Sequence, residues 1–263
     1  MTLTKSIQTI CLTLAACLWT VACSETDGPQ RDTNTVTVSK DFPLSEAEGS
    51  PVCGVRLNVA CFSGSDSAAM IMNRHVAKML FDIDCSDIRL AADSFANMCG
   101  HDYKRSLAAF YRQDKTDPSK RQWYEYRYSM TTEVSRKRKG YITYLADKTM
   151  FEGGSHEISL RLTANFNAET GHAVTTEELF VPGFKKRLSA ILLDRLKEKT
   201  GAETLDDLHG EGYLLSTDMY PADNFILDDG GMTFIYNPYE IAPYDKGRIE
   251  LYVRNDEIED LLI

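Results

Sequence analysis

Apolar side chains recur along this chain at two different spacings, and the change from one to the other sets out its elements. From Val52 to Cys61, apolar and β-branched residues predict a strand, closed by the Ser63-Gly64-Ser65-Asp66 cluster. Ala68, Met72, Val76, Met79 and Leu80 then return at the spacing of one helix face, which predicts a helix of about four turns. A second helical stretch runs from Ile88 to Tyr111, with Ile88, Ala91, Ala92, Phe95, Cys99, Leu107 and Phe110 on one side. Gly100 stands in its middle and predicts a break or a bend.

The period changes after Pro118. Tyr124, Tyr126, Tyr128 and Met130 alternate with Glu125, Arg127 and Ser129, the period-two signature of a half-buried strand. Tyr141 to Leu145 predicts another strand, and Ile158, Leu160, Leu162, Ala164 and Phe166 give the cleanest alternation in the chain. The basic run Arg136-Lys137-Arg138-Lys139 falls between the first two and reads as a solvated hairpin loop. Thr175 or Thr176 is placed to cap a helix before Glu177-Glu178-Leu179-Phe180. Phe184, Leu188, Ile191, Leu192 and Leu196 mark an amphipathic helix. Phe225–Leu227 and Met232–Tyr236 flank Asp229-Gly230, a hairpin signal because both residues tolerate positive φ. A last strand, Ile249 to Val253, leads into a short helix from Asp256 to Leu262.

Helices and strands thus come in runs and not in strict alternation. The expected fold class is α+β, an antiparallel sheet with helices packed on one side, in two small subdomains (51–168 and 169–263) that form one unit.

Ahead of residue 51 the composition differs. Lys5 is the only charge in the first 22 residues, and a mostly apolar stretch from Ile10 to Ala22 ends in small residues, as in a secretory signal. The stretch is shorter than the roughly 20 residues that span a bilayer. Thr20-Val21-Ala22-Cys23 resembles the lipobox of bacterial lipoproteins, with small residues before a cysteine that would carry lipid; Leu14-Ala15-Ala16-Cys17 is an earlier match. The expectation is a signal peptide over 1–22 and a lipid on Cys23, anchoring the protein to a membrane of the bacterial cell envelope, the outer membrane in particular, facing the periplasm or the surface. Residues 23–50 are rich in Asp, Glu, Thr, Ser, Gly and Pro and read as a flexible tether.

The formal net charge is -10, and losing Lys5 with the signal would make it -11. Such acidity argues against nucleic acid and anionic lipid headgroups as partners and suits a basic protein or a cationic ligand. Cys53, Cys61, Cys85 and Cys99 would remain beyond Cys23, an even number that in an oxidising compartment points to two disulfides, with buried free thiols as the other reading. No CxxC pair occurs and no histidine stands at ligand spacing beside these cysteines, so no metal site and no cofactor are expected. His156-Glu157 begins like HExxH, but residue 160 is Leu and the segment alternates as a strand. There is no GxSxG elbow, and Asp228-Asp229-Gly230 lacks the spacing of a calcium loop.

What remains is a set of motifs without catalytic logic: Glu152-Gly153-Gly154-Ser155-His156, Asn165-Phe166-Asn167 with Thr170-Gly171, Glu177-Glu178-Leu179-Phe180, and the run Phe234 to Gly247 containing Tyr239-Glu240-Ile241-Ala242-Pro243-Tyr244. In order and spacing they resemble the paired domains of unknown function in the extracellular part of the anti-sigma factor RsiV, which also accompany the catalytic domain of the peptidoglycan deacetylase PdaC. The resemblance implies a PdaC-like domain over 51–168 and an RsiV-like domain over 169–263. Gly153, Gly154, His156, Tyr239, Pro243, Tyr244 and Gly247 are the motif residues. Ser155 and Glu157 replace the small residues that usually flank the histidine. The implied role is binding: the RsiV ectodomain recognises lysozyme, a basic protein. The expected function is therefore a non-enzymatic envelope lipoprotein that binds a protein or cell-wall ligand, lysozyme being the most concrete. The alternative is a glycan- or peptidoglycan-active enzyme using scattered carboxylates.

Overall fold

The computed structural model describes residues 31–263. The expected signal peptide and the expected lipid-bearing Cys23 lie outside them. No helix among the described residues is long and apolar enough to cross a membrane.

The first element among the described residues is a strand, β1 (Thr33–Pro43), where a tether was expected. Val36 and Val38 point inward, while Thr35, Thr37 and Ser39 face water. Every residue of β1 has an antiparallel partner in β2 (Val52–Phe62), from Thr33 opposite Phe62 to Pro43 opposite Val52. Threonines suit such a strand because their branched Cβ packs well on a pleated surface. Composition alone hid this: outward hydroxyls made the segment look unable to bury anything.

Helices α1 (Ser67–Phe81) and α2 (Ile88–Asp114) follow. Asp66 caps α1 by accepting the N–H groups of Ala68 and Ala69, and Asp87 caps α2 through Leu90. The expected break at Gly100 does not occur, and α2 runs through it unbroken. Gly100 serves close approach instead: a Cβ there would sit 2.3 Å from the Phe42 ring on β1. A 3₁₀ turn, Pro118–Tyr124, leads into β3 (Tyr126–Ser135), then β4 (Tyr141–Glu152) and β5 (Ile158–Asn167).

These strands form one sheet in the order β1-β2-β3-β4-β5. It is antiparallel except at β2 and β3, which run parallel, so the antiparallel expectation needs one correction. The reason is the crossover: a chain that passes through both helices between β2 and β3 returns in the same direction. Helix α1 contacts β2 and β5, and α2 contacts β1 and β2. Val55, Leu57, Val59, Met130, Tyr144 and Phe166 face them in the first core.

The second core is built by α3 (Thr176–Leu179), α4 (Lys185–Thr200), α5 (Leu205–Gly210) and an antiparallel sheet of β6 (Phe225–Leu227), β7 (Gly231–Tyr236) and β8 (Ile249–Arg254). Thr175 is the cap of α3, its N–H held by the Glu178 carboxylate at 2.9 Å. Leu188, Leu192 and Leu196 of α4 are fully buried with Phe225, Phe234 and Val253. The β6–β7 turn does not use positive φ at Asp229 or Gly230. The Asp228 carboxylate accepts the N–H groups of Gly230 and Gly231 at 2.8 and 2.9 Å, and this side-chain bridge shapes the turn. In place of a terminal helix there are two single 3₁₀ turns, Asn255–Glu257 and Glu259–Leu261.

Candidate functional site

Two of the sequence motifs, some ninety residues apart, meet beside the edge of the first sheet. At the end of β4, Gly153 and Gly154 take φ of +74° and +91°, turning the chain through Ser155 and His156 into β5. A side chain on Gly153 would bring its Cβ within 2.5 Å of the Trp123 carbonyl oxygen, so the turn lies directly against the 3₁₀ segment. The other motif starts where β7 ends. Buried Asn237 uses its amide twice on β5: its Oδ1 accepts the N–H of Arg161 at 2.8 Å and its Nδ2 donates to the Arg161 carbonyl at 3.0 Å. This one amide pairs with both backbone groups of Arg161, at the edge of β5, as a residue of a neighbouring strand would. Asn224 adds a bond from Nδ2 to the same carbonyl, and Asn165 donates across to the Phe225 carbonyl. The loop after Asn237 is thereby registered on β5, close to the glycine turn.

The loop presents Tyr239, Pro243 and Tyr244 there. The Tyr244 hydroxyl donates to the Glu157 carbonyl at 2.7 Å. Its ring stands 5.4 Å from the His156 ring and 5.9 Å from the Tyr239 ring, centroid to centroid. His156, Tyr244 and Tyr239 thus form an aromatic ledge, with Tyr239 69% exposed. Tyr239 takes φ of +75°, and Leu214, whose N–H donates to the Ile241 carbonyl, takes +57°. Bulky residues in this region cost roughly 1–3 kcal/mol each and gather at sites where surrounding structure holds them. Beside them Leu215, 67% exposed, and Pro243 border a cavity of about 220 Å³. Gly247 (φ +67°) turns the chain out of the loop toward β8.

Along the other side of the glycine turn runs a groove on the sheet face away from α1 and α2. It is lined by Arg121 and Glu125 from the 3₁₀ segment and its exit, Arg127 and Phe151 from β3 and β4, and Ser155 and Glu157 from the turn. The Tyr103 hydroxyl of α2 donates to the Tyr124 carbonyl at 2.6 Å and holds the 3₁₀ wall in place. The Arg127 guanidinium lies 4.4 Å over the Phe151 ring. Beyond it, a polar cluster joins β4, β5 and β8: Arg161 meets Asp147 at 2.7 Å and Glu250 at 3.4 Å, and Arg248 bonds the same two carboxylates. The guanidinium of Arg161 holds the Asp147 carboxyl below its usual range.

Of the seven motif residues, His156, Tyr239, Pro243 and Tyr244 come together, and Gly153, Gly154 and Gly247 shape the turns that place them. The cysteines lie elsewhere. The two expected disulfides are absent: Cys53, Cys61, Cys85 and Cys99 are free thiols. Cys53 is fully buried on the helix-facing side of β2, and Cys99 packs against the same core from α2. Burial pushes their thiols up to about 12 and about 11, which keeps both protonated at neutral pH. Cys85 sits in the loop between the helices, where its sulfur accepts the Asp87 N–H at 3.3 Å. Among the described residues no group of three His, Cys, Asp or Glu is arranged to hold a metal ion. Asn224, Arg127 and Phe151 were not singled out from the sequence, and Asn237, inside the Phe234 to Gly247 run, was given no role of its own.

The fold and this exposed, aromatic-edged site define an α+β protein of two cores joined through a polar seam. Residues 177–255 match the family described as "Protein of unknown function (DUF3298)". The crystal structure of a DUF3298 family member from Bacteroides fragilis NCTC 9343 is similar at 22% identity and a TM-score of 0.82, over 90% of this chain and 95% of that one. A DUF3298 family protein from Pseudomonas aeruginosa PAO1 is similar at 16% identity and a TM-score of 0.60, over 90% of this chain and 96% of that one. These likenesses span both cores and establish a shared α+β fold. No curated protein matches the sequence.

Proposed function

We propose that this chain is a bacterial envelope lipoprotein, lipid-anchored through Cys23, whose domain captures a protein or cell-wall ligand and performs no catalysis. The observation that carries the reading is the meeting of Gly153–Glu157 with Tyr239–Gly247 in an exposed aromatic ledge, held by Asn237 and by the Tyr244 hydroxyl. Exposed rings on a braced backbone are a means of recognition, because they bring large contact area at little entropic cost. The net charge of -10 adds long-range attraction for a basic partner. The resemblance to the RsiV ectodomain makes lysozyme the first partner to test.

The alternative, a glycan-active enzyme, would draw on Glu125 and Glu157, which line one groove. Glu125 is already engaged: it takes Arg121 at 2.7 Å and the Val52 N–H at 3.1 Å. That favours capture over acid–base chemistry.

Calorimetry of residues 31–263 against lysozyme at two salt concentrations is the test. Heat of binding is expected at low salt and should shrink as salt rises. Replacing His156 and Tyr244 together by Ala should weaken binding by about tenfold or more, the loss typical of aromatic anchors. An absence of heat at low salt would remove lysozyme, and turnover of muropeptides would replace capture with catalysis.

A further inference from the structure

The uncovered face of the first sheet carries two adjoining grooves that share Glu125, Arg127 and Glu157. The larger, about 620 Å³, lies between the 3₁₀ segment and the glycine turn. The smaller, about 280 Å³, continues across β2 over Gly54, which has no side chain to fill it. Together they have the size of sites that take small ligands, on the order of 300–1,000 Å³.

The charges along this track are unequally satisfied. Arg56 holds both oxygens of Asp41, at 2.7 and 2.9 Å, and Arg121 is paired with Glu125. Arg127 has no carboxylate partner among the described residues; its guanidinium rests on Phe151. The ring contact holds the guanidinium in place without using its N–H groups, an arrangement suited to a carboxylate. Glu157 is the mirror case. Its carbonyl is taken by Tyr244, while its carboxylate has no cationic partner among the described residues.

A guanidinium and a carboxylate facing one groove without pairing to each other match a ligand that carries both charges. A doubly charged anion would meet repulsion from Glu125 and Glu157. A purely cationic ligand would leave Arg127 unanswered. We infer that this groove binds a short zwitterionic peptide, its carboxylate on Arg127 and its ammonium on Glu157, lying over Gly54 and the Ser129 hydroxyl. This goes beyond lysozyme capture at the aromatic ledge, and the two can fail separately.

The test is calorimetry of the full chain with N-acetyl-Ala-Ala-Lys, whose only charges are its terminal carboxylate and its lysine ammonium. Binding is expected, with about tenfold loss for the C-terminal amide and for the Nε-acetylated peptide. Arg127→Ala should erase the difference between the acid and the amide, and Glu157→Gln the difference between the amine and its acetylated form. Arg187→Ala, on α4 and paired with Asp260, serves as the distant control, and thermal melts confirm that each variant is folded. Tighter binding of soluble muropeptides than of the tripeptide would place the source in the cell wall, and equal binding among free peptides. No heat with either probe, or equal binding of the acid and the amide by the native chain, overturns the assignment. Lysozyme binding is read in parallel: its loss beside retained peptide binding removes the capture reading alone, and the reverse removes the groove alone.

Discussion

A chain that starts at residue 51 is expected to lose its N-terminal core, whereas one that starts at residue 31 keeps it. The shorter chain lacks β1, and with it Val36, Val38 and Leu44, all buried in the first core. Burial of one such side chain contributes about 1.5–3 kcal/mol. Three of them together approach the whole stability of a typical domain, about 5–15 kcal/mol. Removal would also strip the outer edge of β2 of its antiparallel partner along its full length and uncover the face of α2 that rests on Phe42. Thermal melts followed by near-ultraviolet circular dichroism, with limited proteolysis of both fragments, are the check. A cooperative melt for residues 51–263 within a few degrees of the longer fragment would mean that β1 is dispensable.

The second large effect concerns the glycine turn. Gly153→Val places a branched side chain at φ +74° with its Cβ 2.5 Å from the Trp123 carbonyl oxygen. The backbone conformation costs roughly 1–3 kcal/mol for a bulky residue, and the overlap with main chain adds about as much again through forced displacement. Gly154 gives the comparison, because a Cβ there meets nothing within 4 Å and only its φ of +91° opposes a side chain. Gly154→Ala should therefore cost about 1–2 kcal/mol. Denaturant unfolding of both variants separates the two contributions. Since Gly153 ties the turn to the 3₁₀ wall, its replacement should also weaken ligand binding at the ledge, through displaced His156, by more than Gly154→Ala does. Equal stability of the two variants would show that the contact with Trp123 yields without cost.

The periodic segments could be read directly. The alternation from Tyr126 to Met130 and from Ile158 to Phe166 and the helical stripe from Leu188 to Leu196 all appear where spacing placed them. In β3 and α4 the buried positions follow from side-chain direction along one chain, which is a local property, whereas β5 grades from exposed Ile158 to buried Ala164, Asn165 and Phe166. Where a partner decides, the reading fell short. Strand β1 exists because β2 pairs with it. Gly100 stays helical because Phe42 needs the space above it. At Asp228 the carboxylate, not the glycine beside it, makes the turn. The candidate site shows the same division: its motif run was recognisable, while the roles of Arg127, Phe151 and Asn237 were not, since nothing local marks an arginine that will lie over a ring or an amide that will bond a strand edge.

By itself, then, the sequence determined the α+β class, the positions of most helices and strands, the acidic surface and the residues of the two motifs, because periodicity, charge and turn chemistry are written in neighbouring residues. Only the tertiary structure decided that the first sheet has a parallel pair, that it includes a strand starting at Thr33, that Cys53, Cys61, Cys85 and Cys99 stay unpaired and that His156 meets Tyr244. Each of these depends on groups far apart in the chain. Their proximity follows from burying both cores together and from satisfying the exposed edge of β5, conditions that no single segment expresses.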